Sequence, residues 1–76
     1  MIAIQKVKGM YGKGLHNPLF QVVNFNTQTP TGVEVIGLAN ARATANNLAL
    51  RAGQPNWAHI RYAQTAKLYK TSEVEL

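Results

Sequence analysis

Apolar and polar positions alternate through most of this chain, and one helical period interrupts them. In residues 1–7 (MIAIQKV) the apolar positions Ile2, Ile4 and, out of step, Val7 read as a first strand, bulged near Gln5, with Lys6 and Lys8 behind it. Asn17-Pro18 opens a second strand, because proline turns the residue before it away from helical backbone. That strand, residues 19–25 (LFQVVNF), is rich in β-branched and aromatic side chains, and both its faces are largely apolar. Such a segment belongs at the centre of a sheet or under cover on both sides. Residues 33–38 (VEVIGL) form a short third strand antiparallel to the second, with Gly37 allowing a bend or a close approach of the helix. The intervening stretches read as connectors: a mobile glycine-rich loop at 9–14 (GMYGKG) and a polar turn at 26–32 (NTQTPTG).

The period then changes. From Asn40 to Ala52 the residues Ala41, Ala45, Leu48, Ala49 and Ala52 fall in one stripe at 100° per residue, which predicts a single amphipathic helix. Asn40 suits the N-cap, Gly53 the position just past the C-cap, and Pro55 cannot extend the helix. A stripe of alanines lets a helix lie close to a sheet. Leu50 falls on the opposite side, beside Asn46, Asn47 and Arg51, either as an isolated exposed leucine or as part of a contact surface.

Alternation resumes at residues 57–65, with Ala58, Ile60 and Tyr62 on one side and His59, Arg61 and Ala63 on the other; residues 66–71 read as the hairpin partner. A three-residue loop at 64–66 pairs Tyr62 with Leu68 and Arg61 with Tyr69, sorting apolar from polar faces better than a two-residue connection. His59, Arg61, Lys67 and Tyr69 then share the outer face, and residues 72–76 form a loosely held end. The expected fold class is α+β: one domain over residues 1–76, an antiparallel sheet of four to five strands with one helix packed on one face, in the order β-β-β-α-β-β.

Charge sharpens this picture. The net charge is +5, aspartate is absent, and the acids are Glu34, Glu73 and Glu75. Residues 1–72 therefore set Lys6, Lys8, Lys13, Arg42, Arg51, Arg61, Lys67 and Lys70 against Glu34 alone. Such a body attracts polyanions or an acidic protein surface, although the same charge also serves solubility. With 76 residues and no cysteine, stability must come from a thin core, to which a homodimer contact can add. The expected location is cytoplasmic, in a bacterial host, with no membrane segment.

The candidate chemistry is sparse. One body carboxylate does not supply a general acid–base pair, and His16 and His59 lack an acidic orienting partner, so no enzyme is expected. No catalytic, metal-binding or cofactor-binding residue is nominated, and no cofactor is expected. Gly9, Gly12, Lys13 and Gly14 resemble a phosphate loop only in composition, since the glycine spacing and the missing Ser or Thr break the motif. Arg61, Lys67 and Tyr69, with His59 beside them, combine charge with rings, a combination that suits nucleic acid as well as plain solvent exposure.

Gly53-Gln54-Pro55-Asn56-Trp57, lying between an alanine-rich helix and a strand, resembles small phage-encoded anti-CRISPR proteins that inhibit type I (Cascade-type) surveillance complexes. Asn17-Pro18, Gly37-Leu38-Ala39 and Lys67-Leu68 agree with that resemblance. It implies an inhibitor that occupies the surface of a CRISPR effector complex and blocks DNA targeting or nuclease recruitment. The resemblance assigns no contact residue. Arginine and tyrosine are favoured interface anchors, so the nominated partner-binding residues are Arg42, Arg51, Arg61, Lys67 and Tyr69. A basic chain does not act as a DNA mimic. The alternative expectation is a small basic nucleic-acid-binding or regulatory domain.

Overall fold

The computed structural model describes residues 1–11, 17–62 and 65–74, without the side chains of 8–11, 62 and 65. The described elements are β1 (Ile2–Tyr11), β2 (Pro18–Asn24), β3 (Thr29–Ile36), α1 (Leu38–Arg51), β4 (Asn56–Tyr62), β5 (Thr65–Lys70) and a short 3-10 turn at Thr71–Glu73. The order β-β-β-α-β-β is the expected one. The strands form one sheet in the order β3-β2-β1-β4-β5.

The sheet is mixed rather than antiparallel. β1 pairs with β4 in parallel, Ile2↔Trp57 through Gln5↔Ile60, while the other neighbours run antiparallel. The helix causes this. Its 14 residues span about 21 Å at 1.5 Å per residue, close to the length of a seven-residue strand. It therefore carries the chain from the end of β3 back to the opposite end of the sheet, where β4 starts in the same direction as β3 and β1. A helical crossover is the usual way to join strands of like direction.

The helix begins earlier than its composition suggests. Gly37, at φ 89° and ψ 144°, is the N-cap and has no side chain to offer. Asn40 lies inside the first turn, and its side-chain amide donates back to the carbonyl of Ile36 at 3.0 Å. The far end matches expectation. Gly53 has φ +68°, the Gly53 amide donates to the Leu50 carbonyl at 3.1 Å, and the Gln54 amide donates to that of Ala49 at 2.8 Å. These two bonds make a Schellman stop, which satisfies carbonyls that a helix end leaves open. Gln54 then ties the stop to the sheet, its side-chain oxygen accepting from the Ile2 amide at 3.2 Å.

Ala41, Ala45 and Ala49 pack on Ile4, Phe20, Val22 and Trp57, with Ile2, Val35, Leu38, Leu48, Tyr69 and Val74 around them. Ala52, the last of the expected stripe, is exposed. Asn46, expected beside Leu50 on the outer side, is buried, with its Oδ1 unpartnered among the described residues. The other sheet face holds a smaller cluster of Ala3, Val23, Ala58 and Ile60 with Phe25. β2 and β4 are thus buried on both faces, and their apolar content follows from their interior places.

Other boundaries also depart from the expected ones. β1 continues through Gly9, Met10 and Tyr11; its pairing with β2 is regular at Gln5, and the irregularity falls later, between Lys6 and Tyr11. Gly12, Lys13 and Gly14 lie outside the described residues. β3 begins at Thr29, so the polar turn is shorter. One residue of β2, Val22, stands opposite residues 31–33 of β3 between the pairs Gln21↔Glu34 and Val23↔Pro30. The Thr31 hydroxyl bridges this bulge by donating to the Val22 carbonyl at 2.9 Å. A bulge and a proline on an edge strand disfavour pairing with another chain. At the C-terminus, Val74 packs on the core rather than hanging loose; Glu75 and Leu76 lie outside the described residues. Among the described residues no helix is long and apolar enough to cross a membrane.

Candidate anion-binding site

The hairpin register builds the site. β4 and β5 pair as Trp57↔Tyr69, Ala58↔Leu68, His59↔Lys67 and Ile60↔Ala66. This corrects the expected pairs Tyr62↔Leu68 and Arg61↔Tyr69. Tyr62↔Thr65 closes the hairpin, so Thr65 and Ala66 of the expected loop belong to β5; Gln64 of that loop, and Ala63 before it, lie outside the described residues. The register follows the largest buried side chain: Trp57 is fully buried and needs the Tyr69 ring beside it. The shift keeps the parity of the strands, so His59, Arg61, Lys67 and Tyr69 still share a face. That face is the one the helix covers, not the outer one.

Pairing across the sheet adds Lys6. Ile4 stands beside His59, and Lys6, two residues on, returns to the same face. Lys6, Phe20, His59 and Arg61 line a cleft of about 430 Å³. His59 and Arg61 also line an adjoining cleft of about 290 Å³ with Ala66 and Lys67. Among the described residues no carboxylate lines either cleft.

His59 is only 6% exposed. Its ring packs edge-to-face with that of Phe20, 5.8 Å between centroids, and its Nδ1 is buried without a partner among the described residues. Burial lowers its pKa below the ordinary 6.5, and the nearby Arg61 and Arg42 guanidinium groups lower it further. The imidazole is therefore held neutral among cations.

Tyr69 is the second hub. Its ring stacks on Trp57 at 4.5 Å between centroids and 17° between planes. Arg42 and Lys67 approach the same ring, at 5.7 and 5.3 Å from its centroid. With one face of the ring against Trp57, Tyr69 is a seat for cations more than a platform for an incoming base. Arg42, Tyr69, Glu73 and Val74 line a further cleft, which brings one acid to the margin of the cationic site.

Of the nominated residues, the fold gathers Arg42, Arg61, Lys67 and Tyr69. Arg51 stands apart in the last helical turn, about 13 Å along the axis from Arg42 at 1.5 Å per residue, where a cation suits the helix dipole. Sequence reasoning missed Lys6 and Phe20 as site residues, and took His59 for an outer-face group. The signal for Lys6 was its spacing of two from Ile4. No such local signal marks His59, whose burial depends on the helix above it. The motif at 53–57 that carried the anti-CRISPR resemblance serves the fold here, as helix stop and core tryptophan. No protein family, curated protein or solved structure matches the chain.

Proposed function

We propose that this protein is a non-catalytic binding module that holds nucleic acid by its phosphate backbone, on the helix-bearing sheet face. The observation that carries this reading is the convergence of Lys6, Arg61 and Lys67, from three strands, around clefts that no carboxylate among the described residues lines, with Arg42 of the helix beside them on the Tyr69 ring. Fixed cations in a concave site with low-dielectric walls focus a positive potential. The rings nearby are already occupied by packing, so contact is to phosphates and indifferent to base identity. Strand register sets the positions of Lys6, Arg61 and Lys67, which supports a shaped site over a diffuse charge.

The test is binding of a labelled single-stranded oligonucleotide at low salt. Arg61→Glu and Lys67→Glu each weaken it by at least about tenfold, since they replace an attraction by a repulsion. Arg51→Glu, away from the clefts, changes it little. Equal losses for all three variants would reduce the site to net charge.

A second reading is the inhibitor of a CRISPR surveillance complex that docks on an effector subunit. It is favoured by Leu50, 58% exposed beside the exposed Arg51 on the outer helix side, which offers a protein an apolar contact rimmed by charge. Co-purification with effector subunits, lost on Leu50→Glu and accompanied by no shift of free nucleic acid, would select this reading over the first.

A further inference from the structure

The basic face contains a feature that polyanion attraction alone does not require: a buried, neutral imidazole at its centre. His59 and Arg61 are common to both clefts. Lysine or arginine in place of this histidine would bind anions at every pH, and an apolar residue would pack better against Phe20. Instead the ring occupies a position where a proton is disfavoured until a negative charge arrives.

We infer that the joined clefts are a proton-linked seat for one phosphate group, with His59 in its wall and Lys6, Arg61 and Lys67 at its rim. The inference rests on the proposed binding face and specifies how that face takes its anion.

The charges facing His59 come from every side: Lys6 from β1, Arg61 from its own strand, Lys67 from its pairing partner on β5 and Arg42 from the helix. Among the described residues, none of the charged groups facing it is an acid. Glu34 pairs with Gln21 near the far edge of the sheet, and Glu73 lies beyond Arg42. Without an anion, burial first, and then the Arg61 and Arg42 guanidinium groups, disfavour a proton on the ring. A phosphate at the rim cancels the repulsion and adds a counter-charge, so the ring takes a proton from solvent as the anion binds. Linkage makes this reciprocal: whatever the anion does to the proton affinity, the proton does to the anion affinity. The seat therefore tightens as pH falls through the histidine range.

The phosphate can belong to a nucleic-acid backbone or be free, and the two are separable. The test is an NMR pH titration of the His59 imidazole in the wild-type protein, its resonance identified by comparison with His59→Gln. It is run alone, with short oligothymidine, whose diester charge is constant across the range, and with inorganic phosphate. The expected result is that oligothymidine raises the His59 midpoint by about one unit, equivalent to roughly tenfold tighter binding of the protonated form. His59→Gln removes that pH dependence of affinity. A shift with inorganic phosphate and none with oligothymidine keeps the seat but sinks the nucleic-acid reading. Salt-sensitive binding of oligothymidine with an unmoved midpoint keeps the nucleic-acid reading and overturns the seat. An unmoved midpoint with both ligands also overturns it.

Discussion

Trp57 and Tyr69 stand directly opposite each other across β4 and β5, and their rings stack with 4.5 Å between centroids. This one pair ties the core to the cationic face, because Trp57 belongs to the buried cluster under the helix while Tyr69 carries Arg42 and Lys67 on its ring. Tyr69→Leu keeps apolar volume but loses the stack and the cation contacts. Its expected cost is about 1–2.5 kcal/mol, from about 0.5–1.5 for the ring pair and about 0.5–1 for the cations. Tyr69→Phe retains both and stays within about 0.5 kcal/mol of the parent. Urea denaturation of the two variants checks this, and equal losses would deny the ring a special role.

Trp57 itself separates volume from hydrogen bonding. It is fully buried, yet its indole Nε1 has no partner among the described residues. Trp57→Ala opens a large cavity and costs about 3–5 kcal/mol, enough to unfold much of a small domain. Trp57→Phe discards an unsatisfied donor along with part of the ring, so its cost falls well below the alanine value. Thermal melts of both variants decide the point.

Two glycines support the helix in different ways. Gly37 holds φ +89°, and an added Cβ would meet only Asn40 Nδ2, at 3.9 Å. Any penalty for Gly37→Ala is therefore backbone strain rather than collision, about 1–3 kcal/mol. Gly53, at φ +68°, occupies ordinary left-handed space, which asparagine tolerates. Gly53→Asn is expected to cost less than Gly37→Ala. The reverse order in denaturation midpoints would contradict the assigned N-cap geometry.

Stability depends on pH through His59. Its folded-state pKa is lowered from 6.5, so the unfolded chain takes up the proton first as the solution is acidified. The unfolded state then binds more protons, and stability rises with pH across this window. The contribution is complete above about pH 6.5 and is lost progressively below it, down to the folded-state value. Denaturation between neutral and mildly acidic pH should show this slope in the wild type and a smaller one in His59→Gln.

Much of the fold was legible in the chain because it was encoded locally. The alanine spacing of 41, 45 and 49, the stop at Gly53 and Pro55, and the doubly apolar residues 19–25 each state their own environment. The parallel pairing of β1 with β4 was not legible, since it follows from where the helix delivers the chain rather than from either strand. The hairpin register escaped for a related reason. Shifting it by an even number of residues leaves the face pattern unchanged, so alternation alone could not choose between pairing Tyr69 with Arg61 and pairing it with Trp57. The candidate site depended on that choice: Lys67 reached His59 only in the observed register, and Lys6 joined them only through the parallel pair Ile4↔His59.

The central claim is that Lys6, Arg42, Arg61 and Lys67 act together on phosphates. The affinity for single-stranded oligonucleotide as a function of salt tests it most directly. Three or four phosphate contacts predict a log–log slope of about −2 to −3, and Lys67→Glu should make it shallower by about 0.7 or more. A steep slope that Lys67→Glu flattens is the predicted result. Tight binding that ignores salt, or a slope that Lys67→Glu and Arg51→Glu change equally, would contradict it.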